Sequence, residues 1–202
     1  MTIGVYIILI LALGYISVYI RERYLGVKWM KPITYLGILI HETCHAVACY
    51  ATGGKVVSMN VSSTQGSVEH YQPKIPFLGP ILVSLAPLLG GIVLVGILNR
   101  VLLANALTIQ SINIWDNLIG VFSSLNFLSW QTWILVIFFL NIGVMVGPSV
   151  QDLKNIWLPV VASFFFDIPE VSQLLAFAIA LIIINILLFA IVWVVKTFIT
   201  HQ

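Results

Sequence analysis

Residues 38–47, Ile38-Leu39-Ile40-His41-Glu42-Thr43-Cys44-His45-Ala46-Val47, set an H-E-x-x-H motif inside an apolar stretch. On a helix, positions i and i+4 share one face about one turn apart, so His41 and His45 can hold one metal ion together. Glu42 is turned about 100° from His41 around the helix axis. Its carboxylate then sits beside the metal, where it can act on a water as general base. Two histidines and a glutamate without partners in an apolar helix are costly, and a shared metal is a partner that suits their spacing.

The composition says what surrounds that helix. Of 202 residues, 60% are hydrophobic and 8% charged, against about a quarter charged in a soluble domain. The expectation is one all-α polytopic membrane domain over residues 1–202, with no length for a second folded module. A net charge of +2 without any basic run gives no footing for nucleic-acid binding. The two cysteines, Cys44 and Cys49, lie in the motif helix and point about 140° apart around it, a poor disulfide pair. They read as small buried hydrophobes, and only Cys44 is close enough to be considered as a soft ligand.

Ile3 to Ile20 is long enough to cross a bilayer. Arg21, Glu22 and Arg23 follow it, whereas a cleavable signal carries its positive charge first. Lys28, Trp29 and Lys31 mark an interface, and Pro32 suits the first turn of the motif helix. That helix runs to about Ala51, and Gly53-Gly54 ends it. Val57, Met59 and Val61 then alternate with Ser58, Asn60 and Ser62; Ser63-Thr64-Gln65-Gly66 is turn-like, and Ser67 to Tyr71 makes the return strand of a small β-hairpin.

Further apolar segments run over about Ile75–Asn99, Trp130–Val146, 149–166 (with Pro159 expected to kink it) and 171–195, which makes about six transmembrane helices. Between them, residues 101–129 are interrupted by Asn105, Gln110, Asn113, Asp116 and Asn117. They read as an interfacial or re-entrant connection with Trp115 near the headgroups. Gly147-Pro148 breaks the fourth span, and Ser149-Val150-Gln151-Asp152 reads as a capping box.

A catalytic zinc usually has three protein ligands and one position for water. Six spans put the 147–152 break, the hairpin and both chain ends on the side where the motif helix ends, and Glu22, Asp116, Asp167 and Glu170 on the other. Asp152, Glu69, His70 and His201 remain as third ligands. Asp152 is favoured, because a carboxylate at a helix break between apolar spans needs a reason; its competing role is N-terminal capping alone. Asn141, roughly three helical turns earlier, is placed to orient the ligand or the substrate.

Taken together, the H-E-x-x-H in a membrane helix, the glycine exit with a strand-like segment after it, and a later Asp at a proline-containing break resemble the site-2 protease family of intramembrane zinc metallopeptidases. The resemblance covers residues 33–166, the expected catalytic core. The family's second motif is Asn-Pro-x-x-Asp-Gly or a close variant; here Gly147-Pro148-Ser149-Val150-Gln151-Asp152 has no Gly after the Asp, and Asn141 stands farther upstream. The resemblance implies Zn2+ as cofactor, His41, His45 and Asp152 as ligands, Glu42 as general base, and membrane-anchored protein substrates in the lipid bilayer. A substrate helix must unwind before cleavage. The hairpin edge with Lys55, Val57, Met59 and Val61 is expected to take the unwound segment by strand addition. Two other readings compete. A prenyl-protein-protease-like enzyme would use a later Glu, with Glu170 as candidate. A non-catalytic metal-binding membrane scaffold would have no use for an intact Glu42.

Overall fold

Apolar runs separated by short polar breaks give long helices packed side by side. The computed structural model describes residues 2–25, 27–62, 65–103, 107, 109, 111–147 and 149–200. In chain order these form α1 (Ile3–Ile20), a π-helical turn over Arg21–Leu25, α2 (Val27–Ala51), β1 (Val56–Val61), β2 (Gly66–His70), α3 (Leu78–Leu103), α4 (Ile114–Ser124), α5 (Trp130–Val146), α6 (Val150–Ser163) and α7 (Pro169–Thr200). The core lies mainly between α1, α5 and α7, where Tyr6, Ile10, Phe139, Ile142 and Ile182 are each at most 2% exposed. The outer surface is apolar too, with Leu128, Phe165 and Val101 at 98%, 84% and 72% exposed. Water is a poor solvent for such a surface and lipid a good one.

Three helical stretches, Ile3–Tyr24, Leu78–Leu102 and Pro169–Phe198, are long and apolar enough to cross a membrane, consistent with a membrane protein. α5 and α6 meet at 81° and reach that length only as a pair, which makes four. Length and composition thus do not show the six spans expected from the sequence. The motif helix α2 is not among the candidates; His41, Glu42 and His45 dilute its apolar run. α2 also begins at Val27, so that Pro32 lies inside it and not at its first turn.

Contacts along the helices give their directions. The Ile3 N–H donates to the Phe166 carbonyl (3.3 Å), Ser17 Oγ donates to Asn185 Oδ1, and the Tyr24 and Trp193 rings meet at 5.9 Å. Residue numbers rise together on the two sides, so α1 and α7 run the same way. If both cross a bilayer, the number of crossings is odd, which six is not. The parity that placed Asp152 beside His45 and Glu170 away from it therefore does not hold. α5 and α6 together advance in one direction. Gly147 lies by Gly14 and Phe164 by Gly4 along α1; Val146 lies by Gly91 and Asn155 by Ser84 along α3. The bent pair therefore has the path of one broken helix.

The hairpin leaves directly from the end of α2. Gly53 adopts φ 77°, a left-handed conformation that costs a Cβ-bearing residue energy, and the Gly54 N–H closes the helix on the Cys49 carbonyl at 2.8 Å. β1 and β2 pair antiparallel, Met59 opposite Val68 and Val61 opposite Gly66, with an irregularity between Val56 and Ser58.

Within 101–129 the structure has a helix, α4, packed on α7. The polar residues that interrupt this stretch are its start signals. Asn113 Oδ1 accepts the Trp115 N–H (3.0 Å), Asp116 accepts from Ser111 Oγ (2.8 Å), and Asn117 Nδ2 donates to the Ser111 carbonyl (2.8 Å). Trp115 projects outward. Asn105 and Gln110 lie outside the described residues.

Candidate metal centre

His41, Glu42, His45 and Asp152 are all buried, at 7%, 7%, 9% and 4% exposed. They share a cavity of about 480 Å³, lined also by Gly66, Ser67, Val68 and His70 of the hairpin and by Ser84 and Asn155. One turn of α2 separates the histidines, and their Nε2 atoms lie 3.1 Å apart. Asp152 Oδ2 is 3.6 Å from His45 Nε2 and 4.0 Å from His41 Nε2.

The other ring nitrogens decide what this triangle is. His41 Nδ1 lies 3.1 Å from the Met145 carbonyl of α5, and His45 Nδ1 lies 2.8 Å from the Val83 carbonyl of α3. A carbonyl only accepts, so each Nδ1 carries the proton and donates. In its neutral form each ring then presents a bare Nε2 lone pair, and the carboxylate presents a third. Three lone pairs of this kind repel one another, and a shared cation would relieve that repulsion. A point equidistant from the three atoms lies about 2.1 Å from each, the radius of the circle through a triangle of these sides, against about 2.0–2.2 Å for zinc–nitrogen and zinc–oxygen bonds. Two imidazoles and one carboxylate are also a usual donor set for catalytic zinc. The residues present fit the ion.

Asp152 caps its own helix and faces the histidines. The Ser149 N–H and Oγ donate to its Oδ2 at 2.8 and 2.6 Å, and the Asp152 N–H returns a bond to Ser149 Oγ at 3.2 Å. This reciprocal box opens α6 and holds the carboxylate toward the histidines. Among the described residues, His41, His45 and Asp152 form the group of side chains able to hold a metal. His70 lines the cavity but is outside that group, and Glu69 is turned to Ser58 Oγ (3.1 Å). His201 lies outside the described residues. Glu170 sits in the first turn of α7, apart from the cluster. Cys44 Sγ packs against Gly90 and is no part of the group.

Glu42 packs on the hairpin. A Cβ added at Gly66 would lie 2.5–2.8 Å from its Cγ, Oε1 and Cδ. Only glycine lets the start of β2 approach the carboxylate this closely. β2 therefore borders the cavity, whereas Lys55, Val57, Met59 and Val61, expected to touch substrate, belong to β1 or precede it and do not line it. A period of two tells which face of a strand a residue takes, but not which strand of a hairpin stands next to the site.

Asn141 is fully buried between helices and does not line the cavity. Its Oδ1 accepts the Gly37 N–H (2.9 Å), and its Nδ2 donates to the Ile137 carbonyl (2.8 Å). Four residues on along both helices, Met145 meets His41. α5 thus grips α2 at two points one turn apart and fixes the imidazole from behind. Sequence reading missed Met145 and Val83, which act through backbone carbonyls, and Gly66, which acts by lacking a side chain. Comparison with family models, curated proteins and solved structures finds no match.

Proposed function

We propose that the protein is an intramembrane zinc metalloprotease that hydrolyses peptide bonds of membrane-anchored protein substrates. The observation that carries this reading is a buried Glu42 carboxylate in the same cavity as the His41, His45 and Asp152 donors. Metal holding alone has no use for that fourth group.

Zinc, when bound by the three donors, would acidify a water toward neutral pH and stabilise negative charge on a substrate carbonyl oxygen. Glu42 takes the proton of the attacking water and returns it to the leaving amine. The Met145 and Val83 carbonyls hold the two rings in the tautomer that leaves Nε2 free, and raise their basicity. Ser149 aims the Asp152 carboxylate. The polar side chains of Ser67, Gln72 and Gln151 on the cavity wall admit water to a site whose surroundings are apolar. β2 lies against the base, so an unwound substrate segment added beside it would bring a scissile carbonyl to Glu42. Proximity of β2 to Glu42 favours strand addition on β2 over β1 in this reading.

The reading includes a multi-pass arrangement. Parallel α1 and α7 fit five crossings, made by α1, α2, α3, the broken α5–α6 pair and α7, with the break at the depth of the metal. Non-helical backbone is tolerated at such a depth where it lines a polar cavity.

The test uses purified full-length protein in lipid nanodiscs, zinc stoichiometry, and cleavage of a transmembrane-helix substrate. Glu42→Gln should keep zinc and lose turnover by several orders of magnitude, since the water loses its base. Wild-type turnover by this variant would contradict the mechanism. Stoichiometric zinc in a wild-type protein that cleaves no membrane substrate would favour the scaffold.

A further inference from the structure

The capping box fixes the Asp152 carboxylate relative to α6, but not α6 relative to the histidines. Because the chain bends by 81° between α5 and α6, helical continuity from α5 does not set that position either. Something must hold the first turns of α6 at the right distance from α2.

One side chain is placed to do so. Asn155 follows Asp152 by three residues, so the two project on the same face of α6, and both line the cavity. Asn155 Nδ2 donates to Ser84 Oγ of α3 at 2.9 Å. Ser84 is itself buried, at 7% exposed. The residue before it, Val83, supplies the carbonyl that takes the His45 Nδ1–H at 2.8 Å. Two successive residues of α3 therefore grip the two halves of the site, Val83 through His45 and Ser84 through Asn155. The path closes on itself, from Asp152 along one helical turn to Asn155, across to Ser84, one residue back to Val83, and through His45 to the 3.6 Å gap between His45 Nε2 and Asp152 Oδ2. Beside it, Ile156 is buried at 2% exposed and shares a small apolar contact zone with Leu85 and Leu88 of α3. Apolar burial of this kind is non-directional. The Asn155–Ser84 bond adds a directional tie between α6 and α3.

We propose that Asn155 is a positioning residue of the metal centre, bracketing the third donor onto α3 through Ser84. The inference rests on reading the site as zinc-holding, and does not depend on the reaction the site performs.

The experiment measures zinc affinity of the purified full-length protein by competition with a chromophoric chelator, alongside thermal stability. Asn155→Ala should weaken zinc binding by about 10- to 100-fold, the range for groups that orient metal ligands. Ser84→Ala should weaken it similarly, and the double variant should be no worse than the more affected single one, because both remove the same bond. Unchanged affinity in Asn155→Ala, with or without a lower melting temperature, would overturn the proposal, since a merely structural residue moves stability alone. Additive losses, or unaltered affinity in Ser84→Ala, would overturn the bracket through α3. If Asn155→Ala does not fold, Ser84→Ala carries the test, with the same loss expected and the same null result decisive. A wild type that takes up no zinc would sink this inference and the proposed function together. One that takes up zinc without cleaving peptides would sink the function alone.

Discussion

The two sides of the candidate metal centre are held in unlike ways. On the α2 side, His41 and His45 are set apart by one turn of a single helix, and each ring is pinned from behind by a carbonyl of a different neighbour, Met145 or Val83. On the α6 side, Asp152 is aimed by its own helix start, Ser149, and faces the histidines from a separate helix that packs on α3 and α1. The spacing within the first half is local geometry and survives small movements of the bundle. The spacing across to the second half is tertiary and depends on how a broken helix is seated. The first half is built in, and the second is brought to it.

The largest expected contrast comes from deleting the docked donor. Asp152→Ala leaves both histidines in place, yet should weaken zinc binding by more than the roughly 10- to 100-fold typical of groups behind the ligands. It should also remove most cleavage. Loss of a helix cap alone costs only about 1 kcal/mol of stability and would spare affinity. Chelator competition and a denaturation curve on the same preparation separate the two.

A smaller effect should appear on the built-in side. Asn141→Ala removes an acceptor of the Gly37 N–H and a tie between α5 and α2. It should lower stability by about 1–3 kcal/mol, the range for disturbing a buried hydrogen-bonded group. The i, i+4 spacing of the histidines should nonetheless keep zinc affinity near wild type. Thermal melts of apo protein together with zinc titration check this. A large loss of affinity would mean that the α2 half, too, depends on its seating.

The same division explains what could be read from the sequence. Helical periodicity is local, so the relation of His41, Glu42 and His45 follows from their spacing, and the Ser149–Asp152 box from its three-residue reach. The hairpin after Gly53-Gly54 was legible for the same reason. What needs the third dimension was not. The running direction of α7 beside α1 is invisible in hydropathy, so a count of six apolar segments cannot say which carboxylates share a side with His45. Asn113, Asp116 and Asn117 looked like interruptions, although they start α4. Asn141 stands out in an apolar run, but sequence does not say that it faces Gly37 and not the cavity. The carbonyls of Met145 and Val83 have no side-chain signature at all, and nothing local pairs Ser84 with Asn155.

Convergence of His41, His45 and Asp152 on one zinc ion is open to X-ray absorption at the zinc edge of the loaded protein. The expected spectrum shows one zinc per chain with two imidazole nitrogens and carboxylate oxygen at about 2.0–2.2 Å, the oxygen shell diminished in Asp152→Ala. A sulfur shell at about 2.3 Å would put a cysteine in the site. That result, or a spectrum unchanged by Asp152→Ala, would rule out a His41–His45–Asp152 zinc site.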